Sequence, residues 1–198
     1  MIAALLLAAG SSRRMGEANK LLLPGPDGRA MLLHSLGHLL AVFPSVTVVL
    51  GHEAAALRAA LGALPALGVQ PVQFVEAADY DHGLSASLRA GIASLPSDAT
   101  GVLVALGDMP GVSPGTLRAL LAAHRPGSVT APSLGGQMGN PILWDRHYFP
   151  AMLRLTGDRG AKSLLPAPPD LCLVDVPDEG ILMDVDTQES LRAWQARP

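Results

Sequence analysis

The residues best suited to chemistry lie between positions 10 and 20, directly after an apolar segment at the start of the chain. Two glycines, two serines, two arginines and one lysine fall within this short stretch. Glycines let the backbone approach an anion closely, while exposed amides and hydroxyls donate hydrogen bonds to it. Arg14 and Lys20 supply positive charge for phosphate oxygens. These residue types and their spacing predict a loop that binds a polyphosphate.

The spacing of the glycines excludes two well-known phosphate-binding loops. A P-loop has four residues between its glycines and then Lys followed by Ser or Thr. Here five residues separate Gly10 from Gly16, and Glu17 follows. A dinucleotide-binding turn requires Gly-x-Gly, and Ser12 stands where its second glycine would be. The alternative left open by the loop alone is an ordinary strand-to-helix turn with solvated arginines.

A carboxylate follows a second apolar segment, in the sequence Gly107-Asp108-Met109-Pro110. Mg²⁺ is commonly bound by one or two carboxylates together with waters and substrate phosphate oxygens. The position of Asp108 beside the predicted phosphate site therefore predicts that its carboxylate binds Mg²⁺. Gly-Asp after a strand is also common turn chemistry, so a turn or capping role is the alternative.

Two further carboxylates, Asp184 and Asp186, are separated by one residue near the end of the sequence. In an extended segment the side chains of these two residues face the same side, because the period of a strand is two. One of them could complete the metal site. Asp186 also suits the N-cap of a helix, and the spacing does not decide between the two roles.

Alternating strands and helices are predicted to position these residues. Residues 2–8 are apolar throughout, which is typical of a strand covered on both faces of a parallel sheet. Strands are predicted at 2–8, 45–50, 71–75 and 102–106, and helices at 30–43, 53–61, 84–95 and 114–124, with Ser113 as the N-cap of the last. Beyond residue 125 we expect short strands near 129–131, 141–143 and 171–176, helices near 145–155 and 160–165, and a final helix that Asp186-Thr187 caps and that ends near residue 196.

This order predicts an α/β fold, a doubly wound and mostly parallel sheet with helices on both faces. Ligands of such sheets bind outside the carboxyl ends of the strands. The loop after residues 2–8 and Asp108 after residues 102–106 both belong to that edge. We therefore expect them to form one site.

The length and composition of the chain exclude several classes of protein. The 198 residues, 49% of them hydrophobic, are enough for one α/β domain spanning 1–198. No apolar stretch approaches the roughly 20 residues of a membrane span, and the first residues lack a cleavable signal pattern, so a cytoplasmic enzyme is expected. The net charge of −3 argues against a nucleic-acid binder. Cys172, the one cysteine, lies in an apolar strand pattern and is expected to be a packing residue.

Five motifs in order resemble those of the MobA-like nucleotidyltransferases. They are Leu7-Ala8-Ala9-Gly10-x-Ser12-x-Arg14-Met15-Gly16 with Lys20, then Gly83-Leu84-Ser85-Ala86-Ser87-Leu88, Gly107-Asp108-Met109-Pro110, Gly139-Asn140-Pro141 and Asp184-Val185-Asp186-Thr187. The resemblance covers nearly the whole chain. It implies a Rossmann-like domain of the nucleotide-diphospho-sugar transferase type, which uses Mg²⁺ and a nucleoside triphosphate and releases pyrophosphate. The sequence Leu-Ala-Ala-Gly is similar to that of the branch that transfers CMP from CTP to molybdopterin.

The resemblance also implies roles for individual residues. Arg14, Lys20 and Asp108 would be catalytic, and Asp108 and Asp186 would hold the metal, with Asp184 as the alternative second ligand. The nucleotide would contact Leu7, Ala8, Ala9, Gly10, Ser11, Ser12, Arg14, Lys20, Gly83, Ser85, Ser87 and Asp108. The acceptor would contact Asn140, Pro141 and Arg159. A molybdoenzyme or its chaperone would receive the product through a transient contact, and no nucleic acid or membrane is implied as a partner.

Several alternatives stay open at the level of sequence. A guanylyltransferase using GTP and a sugar-phosphate nucleotidyltransferase share the same expected fold. A non-catalytic nucleotide- or cofactor-binding protein is the alternative from another class, and it would bind a nucleotide without releasing pyrophosphate. The combination of Arg14, Lys20 and Asp108 favours catalysis, because simple binding does not require a complete charge-stabilising set.

Overall fold

One central sheet organises the molecule. The computed structural model describes residues 1–10, 19–62, 72–167 and 169–196. Its sheet has the order β3-β2-β1-β4-β7-β5-β6, with β8 paired to β5. The strands are β1 (Ile2–Ala8), β2 (Val46–Leu50), β3 (Val72–Glu76), β4 (Gly101–Leu106), β5 (Val129–Leu134), β6 (Gln137–Met138), β7 (Ile142–Asp145) and β8 (Leu171–Asp175).

Strands β1 to β4 run parallel to one another, as does the β5–β8 pair, and this confirms the mostly parallel sheet expected from the sequence. Strand β7 departs from the pattern, since it is antiparallel to both β4 and β5. Gly135 and Gly136 have φ angles of 56° and 84° and join β5 to β6 as a tight hairpin. The connection from β5 to β7 is too short for the crossover of a dozen or more residues that parallel pairing needs.

The helices are α1 (Met31–Leu40), α2 (Ala54–Leu61), α3 (Leu84–Ala93), α4 (Pro114–Ala123), α5 (Phe149–Met152) and α6 (Gln188–Gln195). Short 3₁₀ turns span Lys20–Leu22, Tyr80–His82, Arg146–Tyr148, Ala161–Leu164 and Glu179–Leu182. The predicted helix at 145–155 is therefore a 3₁₀ turn followed by the four-residue α5, and the one at 160–165 is entirely 3₁₀. Pro150 explains the break in the first of these, because it suits the first turn of α5 but lacks the amide that a continuous helix from residue 145 would need.

Helices cover both faces of the sheet, as expected. Alternating residues of β1 point to opposite faces, so that Leu6 packs in one core layer and Leu5 and Leu7 in the other. The first layer contains buried residues of α1, α2, α4 and α6, and the second contains those of α3 and α5. Because β1 and β4 are buried on both faces, their carboxyl ends are fixed firmly at the edge of the sheet.

No helix among the described residues is long and apolar enough to cross a membrane. Cys172 lies on β8, which pairs with β5 at the side of the main strand order, and is half-buried rather than enclosed in the core. Because β8 is an outer strand, Cys172 is less buried than the packing role expected from the sequence would require.

Candidate active site

The carboxyl ends of β1 and β4 lie side by side. Leu7 of β1 is paired in register with Leu106 of β4. The Gly107 amide donates to the Leu7 carbonyl at 2.9 Å, and the Ser35 hydroxyl of α1 donates to the Gly107 carbonyl at 2.8 Å. Asp108 therefore emerges from a firmly held turn next to the end of β1.

Lys20, Asp108 and Asp186 meet at this edge. Lys20 Nζ donates to Asp108 Oδ2 at 2.6 Å and also donates to Asp186 Oδ1. The side chain of Lys20 is only 12% exposed, against 21% for Asp108 and 31% for Asp186. The three residues come from widely separated parts of the chain, and we refer to them below as the Lys20 cluster.

The electrostatics of the cluster keep Lys20 charged. Burial alone would lower the pKa of Lys20, but the charges of Asp108 and Asp186 and their hydrogen bonds outweigh burial and raise the pKa above 10.5. The pKa of the neighbouring Asp184 shifts in the direction opposite to that expected for a carboxylate paired with a cation. Burial, a hydrogen bond with Asp186 and repulsion from Asp186 and Asp108 together raise the pKa of Asp184. Asp186, and not Asp184, is the carboxylate that accepts the hydrogen bond from Lys20 described above.

Thr187, and not Asp186, is the N-cap of α6. Its hydroxyl accepts from the Ser190 amide at 3.1 Å, and Ser190 Oγ in turn accepts from the Thr187 amide. The N-cap position, which the sequence left open between Asp186 and Thr187, therefore belongs to Thr187. The Val185 amide donates to the Asp108 carbonyl at 2.9 Å, so the segment that carries Asp186 is tied directly to the end of β4.

The carboxylates have the chemistry of a hard-cation site. Asp108 Oδ1 is buried and has no hydrogen-bond partner within the described part of the chain, although a buried acceptor ordinarily has one. Across the described ranges, no group of three or more His, Cys, Asp or Glu side chains could hold a metal. Oxygens from a substrate and from water would have to complete the coordination, which is the usual arrangement for Mg²⁺.

The predicted phosphate loop is described only at its two ends. Leu7, Ala8 and Ala9 are buried at the end of β1, while Gly10 is exposed. The Ala9 carbonyl accepts from the His52 amide at 3.3 Å, which joins the loop to the end of β2. Ser11, Ser12 and Arg14 lie outside the described residues. Their predicted contacts with phosphate stay predictions.

The motif at the start of α3 lies against the segment around residue 157. Gly83 has a φ of 104°, and a Cβ there would lie 2.5 Å from the Gly157 carbonyl carbon. The Ser85 amide donates to the Gly157 carbonyl at 3.2 Å. Ser85 and Ser87 are only 1% and 4% exposed, so the protein encloses both hydroxyls. The close approach to Gly157 explains the glycine, while contact of the two serines with a nucleoside stays a prediction.

The three predicted acceptor residues occupy different places. Asn140 lines a cavity of about 240 Å³ that also borders Gly160 and Lys162. Pro141 is buried and lines a separate space of about 20 Å³ beside α1 and α4. Adjacent residues face opposite sides where the chain is extended, which accounts for the division. Arg159 is exposed on the segment between α5 and the following 3₁₀ turn.

Trp144 was not among the site residues predicted from the sequence, but it borders the same cavity as Asn140. It lines the cavity together with Leu7, Leu88 and Leu106, and it is fully buried. Its indole Nε1 has no hydrogen-bond partner in the described ranges of the chain. A signal for this position was present, because Asn140, Ile142 and Trp144 alternate along one face of a strand.

Comparison with known proteins gives a consistent result. The model of the MobA-like NTP transferase domain matches residues 4–171. Nicotine blue oxidoreductase of Paenarthrobacter nicotinovorans is 32% identical over 96% of this chain and 94% of its own length. The bifunctional protein GlmU of Mycobacterium sp. strain KMS is 36% identical over 73% of this chain, but that match covers only 29% of GlmU.

Solved structures agree with the fold over the full length. Rv0371c of Mycobacterium tuberculosis H37Rv has a TM-score of 0.82 and 32% identity, with all of both chains covered. The same protein has been solved in complex with manganese, with a TM-score of 0.77, 30% identity and coverage of 98% and 97%. Mth528, a nucleotidyl transferase from Methanothermobacter, has a TM-score of 0.82 and 25% identity, with coverage of 98% and 96%.

Proposed function

Because this chain belongs to the MobA-like NTP transferase family and is an enzyme of the NTP transferase type, we propose that it transfers CMP from CTP to the terminal phosphate of molybdopterin. Family membership, expected from the motifs, is confirmed. The choice of CTP and of a molybdopterin-type acceptor follows from the sequence Leu7-Ala8-Ala9-Gly10, which is similar to the cytidylyl-transferring branch. Residues 1–198 would act as one nucleotidyltransferase domain.

The Lys20 cluster is the observation that carries this proposal. A nucleotidyltransferase must bring two phosphate-bearing anions together, and their repulsion is the main obstacle. Lys20 lies between two carboxylates at the edge where ligands of such sheets bind. Its raised pKa keeps the ammonium charged at neutral pH. A fixed cation beside a metal-binding carboxylate suits the stabilisation of developing phosphate charge.

In the proposed reaction, an oxygen of the acceptor's terminal phosphate attacks the α-phosphorus of CTP. A new bond forms between that oxygen and the α-phosphorus, and the bond from the α-phosphorus to the bridging oxygen of the β-phosphate breaks. Pyrophosphate leaves with the electron pair of the broken bond. The acceptor phosphate is already largely ionised at neutral pH, so no side chain is needed as a nucleophile or base. Lys20 and Arg14 would stabilise the negative charge on the leaving group.

Mg²⁺ is the metal we propose for Asp108 and Asp186. The unpartnered Oδ1 of Asp108 and the exclusively oxygen-bearing donors support a hard cation. When bound, such an ion neutralises phosphate charge and polarises the phosphorus under attack. The manganese complex of Rv0371c supports a divalent ion in this family.

The remaining residues would position the two substrates. The nucleotide would lie against Ala8, Ala9 and Gly10 on the side of β2, and the acceptor against Asn140 and Arg159 on the side of β7. Holding the two groups in line could contribute about 7–11 kcal/mol to lowering the barrier. The finished cofactor would pass to a molybdoenzyme or its chaperone.

The proposal predicts pyrophosphate release from CTP that requires Mg²⁺ and molybdenum-loaded molybdopterin. Asp108→Asn should reduce the rate by about 10²–10³-fold, because it removes the charged metal anchor. Asp98→Asn is the matched control, since Asp98 is an exposed carboxylate at the opposite, amino end of β4.

Each result of this assay has a defined meaning. Release with GTP instead of CTP would contradict the base assignment and keep the reaction. CTP binding without release from any acceptor, in protein with a normal melting transition, would favour the non-catalytic alternative. Equal losses in the rate of pyrophosphate release in Asp98→Asn and Asp108→Asn would contradict the role of Asp108.

An oxidation-reduction is the second candidate function, and one observation favours it. A relative that matches nearly the full length of this chain carries the name nicotine blue oxidoreductase. Incubation with that dye and a reductant, followed by its absorbance, tests this alternative directly. A colour change that Lys20→Met leaves intact would favour it over nucleotidyl transfer, because no phosphate charge needs stabilising in that reaction.

A further inference from the structure

We propose that the outer edge of strand β8 is an interaction surface, and that it binds a second copy of this chain in a two-fold symmetric dimer. The two β8 strands would run antiparallel to each other and join the two sheets. The inference does not depend on the proposed function, because β8 carries none of the residues assigned to the reaction.

The backbone of β8 is paired along one edge. The Asp170 carbonyl accepts from the Val129 amide at 2.8 Å, and the Val176 amide donates to the Ser133 carbonyl at 2.9 Å. Residues 170 and 176 therefore direct these groups toward β5. The even-numbered residues between them do the same, because the backbone groups of successive strand residues alternate between the two edges. The odd-numbered residues direct their amides and carbonyls outward, and they are Leu171, Leu173 and Asp175.

These outward groups have no strand beside them in the part of the chain that the structure describes. There, β8 pairs with β5 alone. Three amides and three carbonyls in a row form a template for another strand. Proteins usually protect such an edge with a lysine, a proline or a bulge, and Leu171–Asp175 contains neither residue and pairs in a continuous register.

The outer strand at the opposite end of the sheet differs in this respect. On β3, the Arg58 guanidinium lies 4.9 Å from the centre of the Phe74 ring and pairs with Glu76 at 2.8 Å. Charged side chains thus cover the apolar ring of β3. The lack of such cover distinguishes β8 and favours its edge as the interaction surface.

Leu173 is the apolar centre of this edge. Its side chain is 49% exposed, although large aliphatic side chains are most often buried. It lies in the middle of the five residues of β8 and shares a sheet face with Leu171 and Asp175. A strand added here would form hydrogen bonds and would also remove Leu173 from water.

The outward residues fit a two-fold axis through Leu173. In an antiparallel pair centred there, Leu173 faces Leu173 of the other copy, and Leu171 faces Asp175 of the other copy. Each such pair would exchange two backbone hydrogen bonds, so the outward groups of both strands would all be satisfied. On the other sheet face, Cys172 would lie opposite Val174 of the other copy, and both are half-buried. The edge is therefore complementary to itself.

The charge pattern selects this arrangement. Asp175 is the only charged residue of β8. In the antiparallel pair, the two Asp175 residues lie four positions apart, which is roughly 14 Å along the strands. Parallel pairing in register would place these like charges side by side, where they would repel each other. The antiparallel pair also closes on itself, as two-fold dimers do, and leaves no edge of β8 open.

The first test is sedimentation velocity of the full chain over a series of concentrations. A pairing of two short strands buries less surface than a standard interface, so we expect a dimer with a dissociation constant in the micromolar range. Leu173→Lys places two like charges at the axis and should raise this constant at least about tenfold. Leu173 is exposed and directs its backbone groups away from β5, so the variant should keep the melting transition of the wild-type monomer.

Leu153→Lys is the matched control for the loss of an exposed leucine. Leu153 is 43% exposed and lies at the end of α5, outside β8. The same substitution there should leave the dissociation constant unchanged. An equal loss of dimer in both variants would overturn the inference, because it would show that the association does not depend on the edge of β8.

The second test determines the register by cross-linking with oxidised glutathione. In a Cys172→Ser background, Leu173→Cys places the two introduced thiols on residues whose Cα atoms are about 5.5 Å apart, which suits a disulfide. We expect a covalent dimer on a non-reducing gel. Asp175→Cys in the same background should give none, because its thiols are too far apart. This test also applies if Leu173→Lys does not fold.

Three results would overturn the inference. They are a wild-type protein that stays monomeric at every concentration, a dimer that Leu173→Lys leaves intact, and cross-linking through position 175 instead of position 173. Concentration-dependent dimers, lost in Leu173→Lys and covalently linked through position 173, would establish the edge of β8 as the interface between two copies.

Discussion

Lys20 provides the protein with an internal counter-ion. Its ammonium neutralises Asp108 and Asp186, two carboxylates that would otherwise repel each other at the edge of the sheet. In the proposed reaction, a metal ion would neutralise the same carboxylates and leave the ammonium available for phosphate. Lys20 would thus have one role in folding and a second in the proposed catalysis.

Lys20→Met should therefore affect stability as well as activity. We expect a loss of about 1–3 kcal/mol in the free energy of unfolding, less than for a fully buried pair, because Lys20 and Asp108 are 12% and 21% exposed. The kcat of nucleotidyl transfer should fall about 10²–10³-fold. Adding MgCl₂ should raise the melting temperature of Lys20→Met more than that of the wild type. Lys20→Arg keeps the charge and is the control; an equal response of all three proteins would contradict this role.

At the scale of elements, Asp178 joins the 3₁₀ turn at Glu179–Leu182 to the start of α4. Its carboxylate accepts from the Ser113 amide at 2.9 Å, from the Thr116 hydroxyl at 2.5 Å and from the Gly180 amide at 2.9 Å. Ser113 is also the N-cap of α4, as the sequence predicted. The segment leading to Asp186 is therefore anchored to a helix N-terminus on one side and to the end of β4 on the other.

This anchor should make stability depend on pH. Burial alone would raise the pKa of Asp178, but hydrogen bonds from Thr116, Ser113 and Gly180 outweigh it and hold the pKa below 3.8. A carboxyl with a lowered pKa in the folded state stabilises the protein above its unfolded pKa of about 3.9, and this stabilisation is lost as the pH falls through the folded value.

Asp178→Asn should cost about 1–2 kcal/mol at pH 7, and its difference from the wild type should shrink below pH 4. Urea unfolding at pH 7, 5 and 3 measures this difference. Asp175→Asn is the control, because Asp175 is exposed on β8. A difference that stays constant between pH 7 and 3 would show that the carboxylate's charge is not what stabilises the anchor.

The elements show what the sequence could predict and what it could not. Proximity of Lys20 to Asp108 followed from a general rule, since parallel strands place their carboxyl ends at one edge. The antiparallel direction of β7 did not follow, because it depends on the hairpin at Gly135-Gly136 and on pairing with β4. Asp186 and Thr187 are both good capping residues, and only the hydrogen bonds with Ser190 distinguish them. The alternation of Asn140, Ile142 and Trp144 indicates a shared face, but the cavity beside Trp144 did not follow from it, because its other walls come from distant segments.

At the scale of the whole molecule, the last part of the described chain closes over the end of β4. Gly180 lies against the turn after Asp108, where a Cβ would be 2.1 Å from the Gly111 carbonyl oxygen. The Val185 amide donates to the Asp108 carbonyl. Helix α6 then packs through Leu191 and Trp194 into the same core layer as α1 and α4. Three successive contacts thus hold Asp186 in place.

A pair of glycines tests the importance of this contact. Gly180→Ala should destabilise the protein by about 1–3 kcal/mol or more, because backbone atoms must separate to admit the methyl group. Gly37→Ala should stabilise it by about 0.5–1 kcal/mol, since Gly37 lies in the exposed part of α1 with open space around it. Thermal melting should show opposite shifts, about 2–4 °C for each kcal/mol. Equal shifts for the two variants would contradict the close packing at Gly180.

The wide separation of Lys20 and Asp186 has a consequence for the protein's synthesis. The two residues are 166 positions apart. At about 5–20 residues per second, a ribosome adds Asp186 about 8–33 s after Lys20. Asp108 is added 88 positions after Lys20, and the cluster stays incomplete until Asp186 follows. A nascent chain can therefore pair β1 to β4 well before Asp186 is available, so the Lys20 cluster is among the last features of the fold to be completed during synthesis.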